Sequence, residues 1–458
     1  MRDLYEPAFL RLLFPLYEGP IKRRHTHVHL REYERSQWLD APALDALRLA
    51  KLNALLRHGW ERVPFLARYW RDAGAGPEPL TRVADLARYP TIDKATITAN
   101  YDAMRARPAP GRVLTKTTGG TTGDPFRLEY TEESYARRTA VMWRSYRWAG
   151  ADLGRRTAYL WAPGRPEGGT APKERLYHRL FNRLMLDSFA LTEAGVGPYL
   201  DAIDRFGATV VVGYVSPLVV VARHMLASGR RLPRVRTVLT GAEALHDDQR
   251  QIIGDAFGGP VFDTYGCREV MLIASECERR RGLHVAADHL IVETLDEAGA
   301  PVEGRPGEVA LTDLHNYAMP LVRYRNGDVA TTAPAACPCG RGLPLLARVD
   351  GRELDLIRTP DGRVLAGEFF PHLMKDFTTV REYQVEQLAL DRVDIRLVCD
   401  SGLAGEDRAR LVDVVRRRIG DRVQVRLLEV DAIPRTPSGK RRVTISRVRD
   451  ATAAPGPR

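Results

Sequence analysis

Residues 115–126 read T-K-T-T-G-G-T-T-G-D-P-F, with three glycines and five threonines. Glycine lets consecutive backbone N–H groups point into one hollow that binds phosphate oxygens, and threonine hydroxyls add further donors. The spacing is not that of a Walker A loop, because three residues separate Gly119 from Gly123 and Asp124 follows. The stretch predicts a phosphate-binding loop. The alternative is a flexible surface loop, and the motifs further along the chain distinguish the two.

The bulk composition indicates a large globular protein. Its 458 residues are 44% hydrophobic and 28% charged, which allows two or more domains with sizeable cores. No apolar run approaches the roughly 20 residues of a membrane span, and the start M-R-D-L-Y-E lacks the features of a signal peptide. We expect a cytoplasmic protein without a membrane span.

The net charge of +11 favours polyanionic small molecules such as ATP or coenzyme A as partners, with a solvated arginine-rich surface as the alternative. Nucleic acid is not expected, because the basic residues are spread along the chain and do not cluster with aromatic residues.

The first 110 residues are predicted to be mostly helical. Leu49, Leu52 and Leu56 follow helical spacing and indicate a core-facing stripe. The apolar segment F-L-R-L-L-F-P-L-Y (residues 9–17) is expected to be a buried helix, and contact with a membrane surface is the alternative.

Between residues 155 and 330, short apolar strands alternate with helical stretches, which predicts an α/β architecture. Three strands begin near Ala208, Val235 and Pro260, and each ends in a polar or glycine-containing turn. Ligands of such sheets collect beyond the carboxyl ends of the strands. We therefore expect the functional site at these turns.

After Gly351 a β-α-β pattern restarts, with alternating apolar residues near 393–397 and 423–427 around a helical stripe. The predicted domains are residues 1–350, which bind the ligands, and residues 351–449, which form a mobile C-terminal lid. Residues 450–458 are expected to be a disordered tail.

Further motifs follow the Gly/Thr loop in a fixed order. They are T-G-A-E (240–243), D-T-Y-G-C-R-E (263–269), R-Y-R-N-G-D (323–328), G-R-E-L-D (351–355) and P-R-T-P-S-G-K (434–440). Together they resemble the adenylate-forming superfamily of acyl-CoA synthetases, peptide-synthetase adenylation domains and luciferases.

Within this superfamily the chain most resembles the phenylacetate–CoA ligase family, and especially its capsule-polysaccharide-biosynthesis branch. The segments that carry this likeness are L-Y-E-G-P-I-K-R-R, L-L-R-H, P-T-I-D-K-A-T-I, Y-G-C-R-E, A-M-P-L-V-R-Y-R-N-G-D and C-P-C-G-R-G-L-P. The resemblance implies an α/β fold, with a large N-terminal domain of mixed β-sheets and helices and a small α+β lid.

The implied reaction has two steps. A carboxylate attacks the α-phosphate of ATP in the presence of Mg²⁺, and coenzyme A then displaces AMP. The alternative is transfer of the acyl group to an amine or hydroxyl acceptor in polysaccharide or natural-product biosynthesis. A nucleotide-binding scaffold without catalysis is a third possibility, against which Glu269, Asp328 and Lys440 argue. The resemblance also suggests a homodimer.

The resemblance assigns roles residue by residue. Glu269 would hold Mg²⁺, Asp328 would accept the ribose hydroxyls, and Lys440 would place its charge between the acyl carboxylate and the α-phosphate. The remaining nucleotide-binding residues are Thr118, Gly120, Thr121, Thr122, Gly123, Gly241, Ala242, Glu243, Asp263, Thr264, Tyr265 and Arg352.

Two positions depart from the family pattern. Asp124 stands where the family usually has Lys, which removes a cation from the phosphate loop. The expected lid hinge is Asp355, but the common Asp-Asp pair is Leu354-Asp355 here. Tyr214, Ser216 and the segment at Trp161 fall at strand ends and are expected either to line the acid pocket or to belong to the core.

Five cysteines, an odd number, argue against a disulfide framework in a chain of this size. Cys277 and His284, together with the pair Cys337 and Cys339, make the Cys₃His set of a structural Zn²⁺ site, and unmetallated buried cysteines are the alternative. Cys267 is an alternative ligand or a neighbour of the substrate pocket. Cys399 is expected in the core.

Overall fold

The structure is a computed structural model that describes residues 5–118, 126–161, 172–191, 195–349, 357–361, 364–365, 369–374, 376–377, 379–399, 402–433 and 443–448. The helices are α1 (Tyr5–Ala8), α2 (Phe14–Leu16), α3 (Thr26–Ser36), α4 (Ala41–Arg62), α5 (Pro64–Asp72), α6 (Lys94–Ala99), α7 (Glu132–Trp148), α8 (Pro172–Leu180), α9 (Val196–Phe206), α10 (Val215–Ser228), α11 (Asp247–Phe257), α12 (Phe369–Met374) and α13 (Gly405–Ile419). Phe9–Leu13 and Tyr17–Ile21 are π-helical turns, and Val83–Arg88 and Tyr101–Met104 are 3₁₀ turns.

Nineteen strands are present in the described part of the chain. They are β1 (Val113–Thr118), β2 (Phe126–Thr131), β3 (Thr157–Trp161), β4 (Arg183–Asp187), β5 (Val210–Tyr214), β6 (Thr237–Gly241), β7 (Val261–Cys267), β8 (Met271–Glu276), β9 (Leu283–Val285), β10 (Leu290–Leu295), β11 (Pro306–Asp313), β12 (Tyr324–Ala333), β13 (Leu345–Val349), β14 (Ile357–Arg358), β15 (Val364–Leu365), β16 (Val380–Ala389), β17 (Arg392–Cys399), β18 (Gln424–Glu429) and β19 (Thr444–Ser446).

Local sequence explains where the main helices begin. The Asp40 carboxylate accepts from the Ala43 N–H at the start of α4, and the Thr131 hydroxyl accepts from the Ser134 N–H at the start of α7. Such caps satisfy backbone donors that a first helical turn leaves unpaired. In α4, Leu52 and Leu56 are buried and Leu49 is partly buried against the same core, which confirms the predicted core-facing stripe.

Eleven strands form one continuous sheet in the order β10-β11-β12-β13-β9-β8-β7-β6-β5-β3-β4. The strands from β7 to β4 pair in parallel, and those from β8 to β10 pair antiparallel. The parallel strands β5 and β6 are buried on both faces, because helices cover both sides of such a sheet. The α/β fold class predicted from alternating strands and helices is confirmed.

The C-terminal region contains a separate four-stranded sheet in the order β18-β17-β16-β19. Helix α13 buries Leu411, Val415 and Ile419, which confirms the predicted helical stripe. The strand before this helix, β17, pairs in parallel with the strand after it, β18. The predicted small α+β unit is therefore present. Phe189 and Tyr214 of the larger sheet region pack in the same hydrophobic cluster as Phe369.

The N-terminal helical segment differs from the expectation that it is buried. Phe9 and Phe14 are buried, but Leu12, Leu16 and Ile21 are exposed. In the described part of the chain, no helix combines the length and the apolar composition needed to cross a bilayer.

Candidate active site

The carboxyl ends of β5, β6 and β7 meet at one edge of the large sheet. The parallel register pairs Tyr214 with Gly241 and Thr240 with Asp263, so the turns that follow these strands lie side by side. The sequence predicted a site here because ligands of parallel sheets bind beyond the carboxyl ends of the strands. The structure brings together the predicted residues of the motifs at 240–243 and 263–269.

The turn after β6 is tightly packed. A Cβ atom on Gly241 would lie 2.8 Å from the Thr264 hydroxyl oxygen, so a larger residue there would displace its neighbour. Ala242 has φ +67°, a left-handed conformation that costs a non-glycine residue about 1–2 kcal/mol. Such strain concentrates at functional sites, where the surrounding structure maintains it.

Glu243 connects this turn to the start of α10. Its Oε2 accepts a hydrogen bond from the Ser216 N–H at 2.6 Å. Burial raises the pKa of Glu243 to about 7, and the hydrogen bond from Ser216 opposes that shift. Glu243 Oε1 is buried and makes no hydrogen bond to the described residues. A polar atom in this position is suited to a ligand that brings its own donor.

Asp263 is fixed from two sides. The Thr240 hydroxyl donates to its Oδ1 at 2.8 Å, and its backbone N–H donates to Glu276 Oε2 at 2.8 Å. Arg250 donates to both carboxylate oxygens of Glu276 at 2.9 and 3.0 Å, and this bidentate pairing fixes the orientation of the Glu276 carboxylate. Burial raises the pKa of Asp263 to about 7, and the Glu276 carboxylate adds to the effect.

Tyr265 on β7 and Asp328 on β12 are joined in a buried network. The Tyr265 hydroxyl donates to Asp328 Oδ2 at 2.9 Å, and Asn326 Nδ2 donates to both that oxygen, at 2.7 Å, and the Tyr265 hydroxyl oxygen, at 2.9 Å. Burial, reinforced by the Asp328 charge, raises the pKa of Tyr265 well above its ordinary value. The tyrosine therefore keeps its proton and remains the donor to Asp328.

Glu269 lies in the turn between β7 and β8. Its backbone carbonyl accepts from Arg138 Nη1 at 2.7 Å, while Arg138 Nη2 donates to Asp313 at 2.6 Å, so a buried ion pair fixes the turn. Burial, and then the negative charges of Glu269 and Asp328, raise the pKa of the Cys267 thiol well above its ordinary value. Cys267 is thus a neighbour of this site, and it is not among the clustered metal-ligating atoms of the described residues.

An aromatic wall stands beside the same sheet edge. The rings of Trp161 and Tyr214 lie 4.3 Å apart, and Phe189 stacks on Tyr214 at 6.0 Å. Phe369 from the C-terminal region meets Phe189 edge to face at 5.6 Å. For Tyr214 the sequence predicted a place either in the acid pocket or in the core. In the structure Tyr214 is buried among these aromatic rings.

Several predicted residues lie outside the described part of the chain. They are Gly120, Thr121, Thr122, Gly123, Asp124, Arg352, Asp355 and Lys440. The pairing of Thr118 with Phe126 in the β1–β2 hairpin marks the two ends of the Gly/Thr loop.

The four predicted zinc ligands come together at a separate place. The ligand atoms of Cys277, His284, Cys337 and Cys339 all lie within 4.8 Å of one another. The Cys277 and Cys337 sulfurs are 3.7 Å apart, and Cys339 Sγ is 3.3 Å from His284 Nε2. Zn–S bonds of about 2.3 Å place tetrahedral sulfur ligands about 3.8 Å apart, so the set fits a zinc ion.

The histidine of this set is also correctly oriented. His284 Nδ1 lies 3.1 Å from the Leu343 carbonyl oxygen, to which it can donate, and this leaves Nε2 facing the three sulfurs. Such an outer hydrogen bond selects the tautomer that binds metal. The four side chains thus bring together two segments, one with Cys277 and His284 and one with Cys337 and Cys339, that lie about 60 residues apart in the sequence.

Comparison with known proteins agrees with this geometry. The chain is 28% identical to a phenylacetate–coenzyme A ligase of Pseudomonas putida over 330 residues, covering 70% of this chain and 73% of that protein. It is 26% identical to the Thermus thermophilus protein of the same name over 430 residues, covering 87% and 95%. Over most of its length, the chain is thus similar in sequence to named phenylacetate–coenzyme A ligases.

The chain is also similar to the CapK proteins. Residues 357–447 match the model of the CapK C-terminal domain. Protein CapK of Staphylococcus aureus is 22% identical over 465 residues, covering 97% of this chain and 98% of that protein. A solved structure of 2-hydroxyisobutyryl-CoA ligase with 2-HIB-AMP and CoA in the thioesterification state shares the fold, with a TM-score of 0.60 at 20% identity over 90% of this chain and 91% of that chain.

Three residues of the candidate site were missed by sequence reasoning. Asn326 lies within the quoted R-Y-R-N-G-D motif and could have been found there. Lys116 lies in the opening loop stretch, and burial, reinforced by the cations Arg138 and Arg268, lowers its pKa to about 8. Arg138 gave no signal, because a single arginine in a polar helix is ordinarily solvated.

Proposed function

We propose that the protein is a ligase that activates a carboxylic acid with ATP and then transfers the acyl group to coenzyme A. In the first step a carboxylate oxygen attacks the α-phosphorus and pyrophosphate leaves with the electron pair of the broken P–O bond. In the second step the thiol sulfur attacks the acyl carbon, its proton passes to solvent, and AMP leaves. The observation that carries the proposal is the Tyr265–Asn326–Asp328 network, which joins β12 to the carboxyl end of the parallel strand β7, in a chain related to named CoA ligases.

In this proposal the nucleotide lies across the ends of β6 and β7. Asp328, oriented by Tyr265, accepts the ribose hydroxyls, because an ionised carboxylate can accept from two donors at once. The turn at Gly241 and Ala242 passes close enough for backbone contact with adenine, and Asp263 accepts from the adenine amine. The remaining proposed contacts are Glu243, Thr264 and Arg352.

The phosphates would occupy the Gly/Thr loop at Thr118, Gly120, Thr121, Thr122 and Gly123. Glu269 is the proposed Mg²⁺ ligand, since its turn is fixed by Arg138 and hard cations prefer carboxylate and phosphate oxygens. Bound Mg²⁺ would neutralise charge that develops on the phosphate oxygens. Lys116 supplies a neighbouring cation on β1, which compensates for the Asp124 that replaces the usual lysine.

The second proposed catalytic group is Lys440, whose ammonium group would lie between the acyl carboxylate and the α-phosphate. A flexible point charge suits this task, since nucleotidyl transfer is accelerated by stabilising negative charge. We further propose that residues 351–449 move as a lid about Asp355 against residues 1–350, so that Lys440 can leave before the thiol enters.

The test is carboxylate-dependent exchange of pyrophosphate into ATP over a panel of aryl, aliphatic, amino and sugar acids. We expect exchange with one class of acid, and a loss of at least about 100-fold in Lys440→Ala while ATP still binds. Lys173→Ala, which removes an exposed lysine of α8, is the matched control. Exchange that persists in Lys440→Ala would contradict the role of Lys440, and silence across the panel with intact ATP binding would favour a scaffold.

A second candidate has an amine or hydroxyl as the acceptor, which the resemblance to the capsule-polysaccharide-biosynthesis branch implies, and the chain is similar to CapK in sequence. The C-terminal region carries the proposed lid, and its matching family model is the CapK C-terminal domain. AMP release from the enzyme-bound adenylate distinguishes the two candidates. Acceleration by coenzyme A supports the first, and acceleration by an amine or a sugar, but not by coenzyme A, supports the second.

We also propose that Cys277, His284, Cys337 and Cys339 hold a structural Zn²⁺. What supports it is the spacing of the ligand atoms, the orientation of His284 and the absence of an open coordination position in a set of four protein ligands. The ion would tie β8 and β9 to the segment before β13, and it has no proposed part in the reaction.

A further inference from the structure

The N-terminal helical segment, residues 5–21, has one buried side and one exposed apolar side. Phe9 and Phe14 pack against Phe181 with ring centroids 4.9 and 6.3 Å apart. On the other side Leu12 is 62% exposed and Leu16 is 56% exposed. The aromatic contacts fix the helix on the protein, so the leucines are held facing outward.

The exposed apolar side chains extend beyond this helix. Ile21 is 69% exposed, and Leu176 on α8 is 68% exposed. Helix α8 packs on the same segment, because Tyr177 meets Tyr17 at 5.9 Å, and Lys22 and Lys173 line a common cavity. The apolar docking surface, defined here as Leu12, Leu13, Leu16, Ile21 and Leu176, therefore involves two adjoining elements.

The exposed charge around this surface is positive. The basic residues on the two elements are Arg11, Lys22, Arg23, Lys173, Arg175 and Arg179. Two acidic residues of the same segment are not free at the surface: Glu18 is buried and accepts from the Thr26 hydroxyl, and Glu6 pairs with Arg155 at 2.8 Å. Glu174, 3.7 Å from His178, is the one acidic residue of α8 and stands among three basic residues of that helix, Lys173, Arg175 and Arg179. A ligand for this surface must therefore combine apolar and anionic chemistry.

We propose that this surface docks the ligase on an anionic lipid bilayer. A single exposed leucine is ordinary, but leucines and isoleucine on a helix flanked by lysine and arginine have the composition of helices that lie in the bilayer interface. The apolar side chains enter the acyl boundary and the basic side chains meet anionic headgroups, which electrostatically attract each cation. Docking is peripheral, as the segment of residues 5–21 is not an apolar span.

The proposal can be tested with the full-length chain and extruded vesicles. Co-sedimentation is measured with phosphatidylcholine alone and with a 3:1 mixture of phosphatidylcholine and phosphatidylglycerol, at low salt and in roughly 0.5 M salt, where charges are screened within about 4 Å. We expect binding to the anionic vesicles that falls in high salt and is weak on the neutral ones.

Variants separate the apolar and the charged contributions. Leu12→Ser/Leu16→Ser should weaken partitioning by roughly tenfold or more, since each leucine gives up burial in the bilayer. Arg23→Glu should weaken it by about fivefold or more on anionic vesicles alone. Leu226→Ser removes a leucine of α10 that is 42% exposed, and it should change nothing. Unfolding curves show whether each variant is folded. If Leu12→Ser/Leu16→Ser does not fold, vesicle binding by Arg23→Glu tests the proposal.

Three results would overturn the proposal. The first is no binding to anionic vesicles, or equal binding to both kinds. The second is an equal loss in the Leu226→Ser control. The third is concentration-dependent self-association that Leu12→Ser/Leu16→Ser abolishes without any vesicle binding, since this would assign the surface to a second copy of the chain.

Discussion

Replacing Tyr265 by Phe tests whether the buried network around Asp328 prepares that carboxylate for a ligand. The change removes one oxygen atom and keeps the ring, so it leaves almost no cavity. It deletes the hydrogen bond to Asp328 Oδ2 at 2.9 Å and the one accepted from Asn326 at 2.9 Å. Because the tyrosine is protonated at every working pH, the loss is that of a neutral donor to a charged acceptor.

The expected cost follows from these contacts. A hydrogen bond to a charged group contributes about 1.5–3 kcal/mol. In the variant, Asn326 Nδ2 still donates to the same Asp328 oxygen at 2.7 Å, so the carboxylate keeps one hydrogen bond. We therefore expect a loss of unfolding free energy at the low end of this range, about 1.5 kcal/mol. If Asp328 binds ribose, AMP affinity falls by at most about twelvefold, the equivalent of that energy, since the hydroxyl acts through Asp328.

The assays are urea unfolding and calorimetric titration of AMP. Tyr69→Phe is the matched control, because it removes a half-buried hydroxyl that donates to the Thr91 carbonyl at 2.9 Å, away from the proposed nucleotide. We expect a loss of about 1 kcal/mol or less in the control, with unchanged AMP affinity. A Tyr265→Phe variant that matches the control in both measurements would refute the reasoning.

Three further predictions follow from other parts of the molecule. Cys337→Ala should abolish zinc retention, measured by metal analysis after chelator washing, whereas Cys399→Ala should retain one zinc per chain; equal zinc in both would contradict the site. Asp263 has a folded pKa of about 7 above its unfolded value of 3.8, so its contribution to stability is present below pH 4 and lost as pH rises through 7. Asp263→Asn should therefore gain stability relative to the parent chain between pH 5 and pH 8 in urea unfolding, and an unchanged difference would oppose the assignment. Arg138→Met leaves the buried Asp313 charge unpaired and should cost about 3–5 kcal/mol, much of it recovered in Arg138→Met/Asp313→Leu, as a double-mutant cycle would measure.

The sequence was informative where a single local pattern decides the structure. The runs that begin at Ala208 and Val235 are continuous apolar stretches bounded by turns, and they became β5 and β6. The Cys₃His set was readable because few residue types bind zinc, although only folding could bring its two halves together. The prediction of a buried N-terminal helix was wrong for one of its sides, because the apolar composition of a segment does not indicate which side packs against the protein.

By itself, the sequence determined the alternation of strands and helices, the order of the motifs and the relationship to the adenylate-forming ligases. These depend on hydrophobic period and residue type, which are local properties of the chain. Only the tertiary structure decided that Tyr265 orients Asp328, that Arg138 fixes the turn at Glu269, and that the leucines of the N-terminal helical segment face outward. Those facts depend on contacts between residues tens to hundreds of positions apart, and the sequence does not encode such contacts in any local pattern.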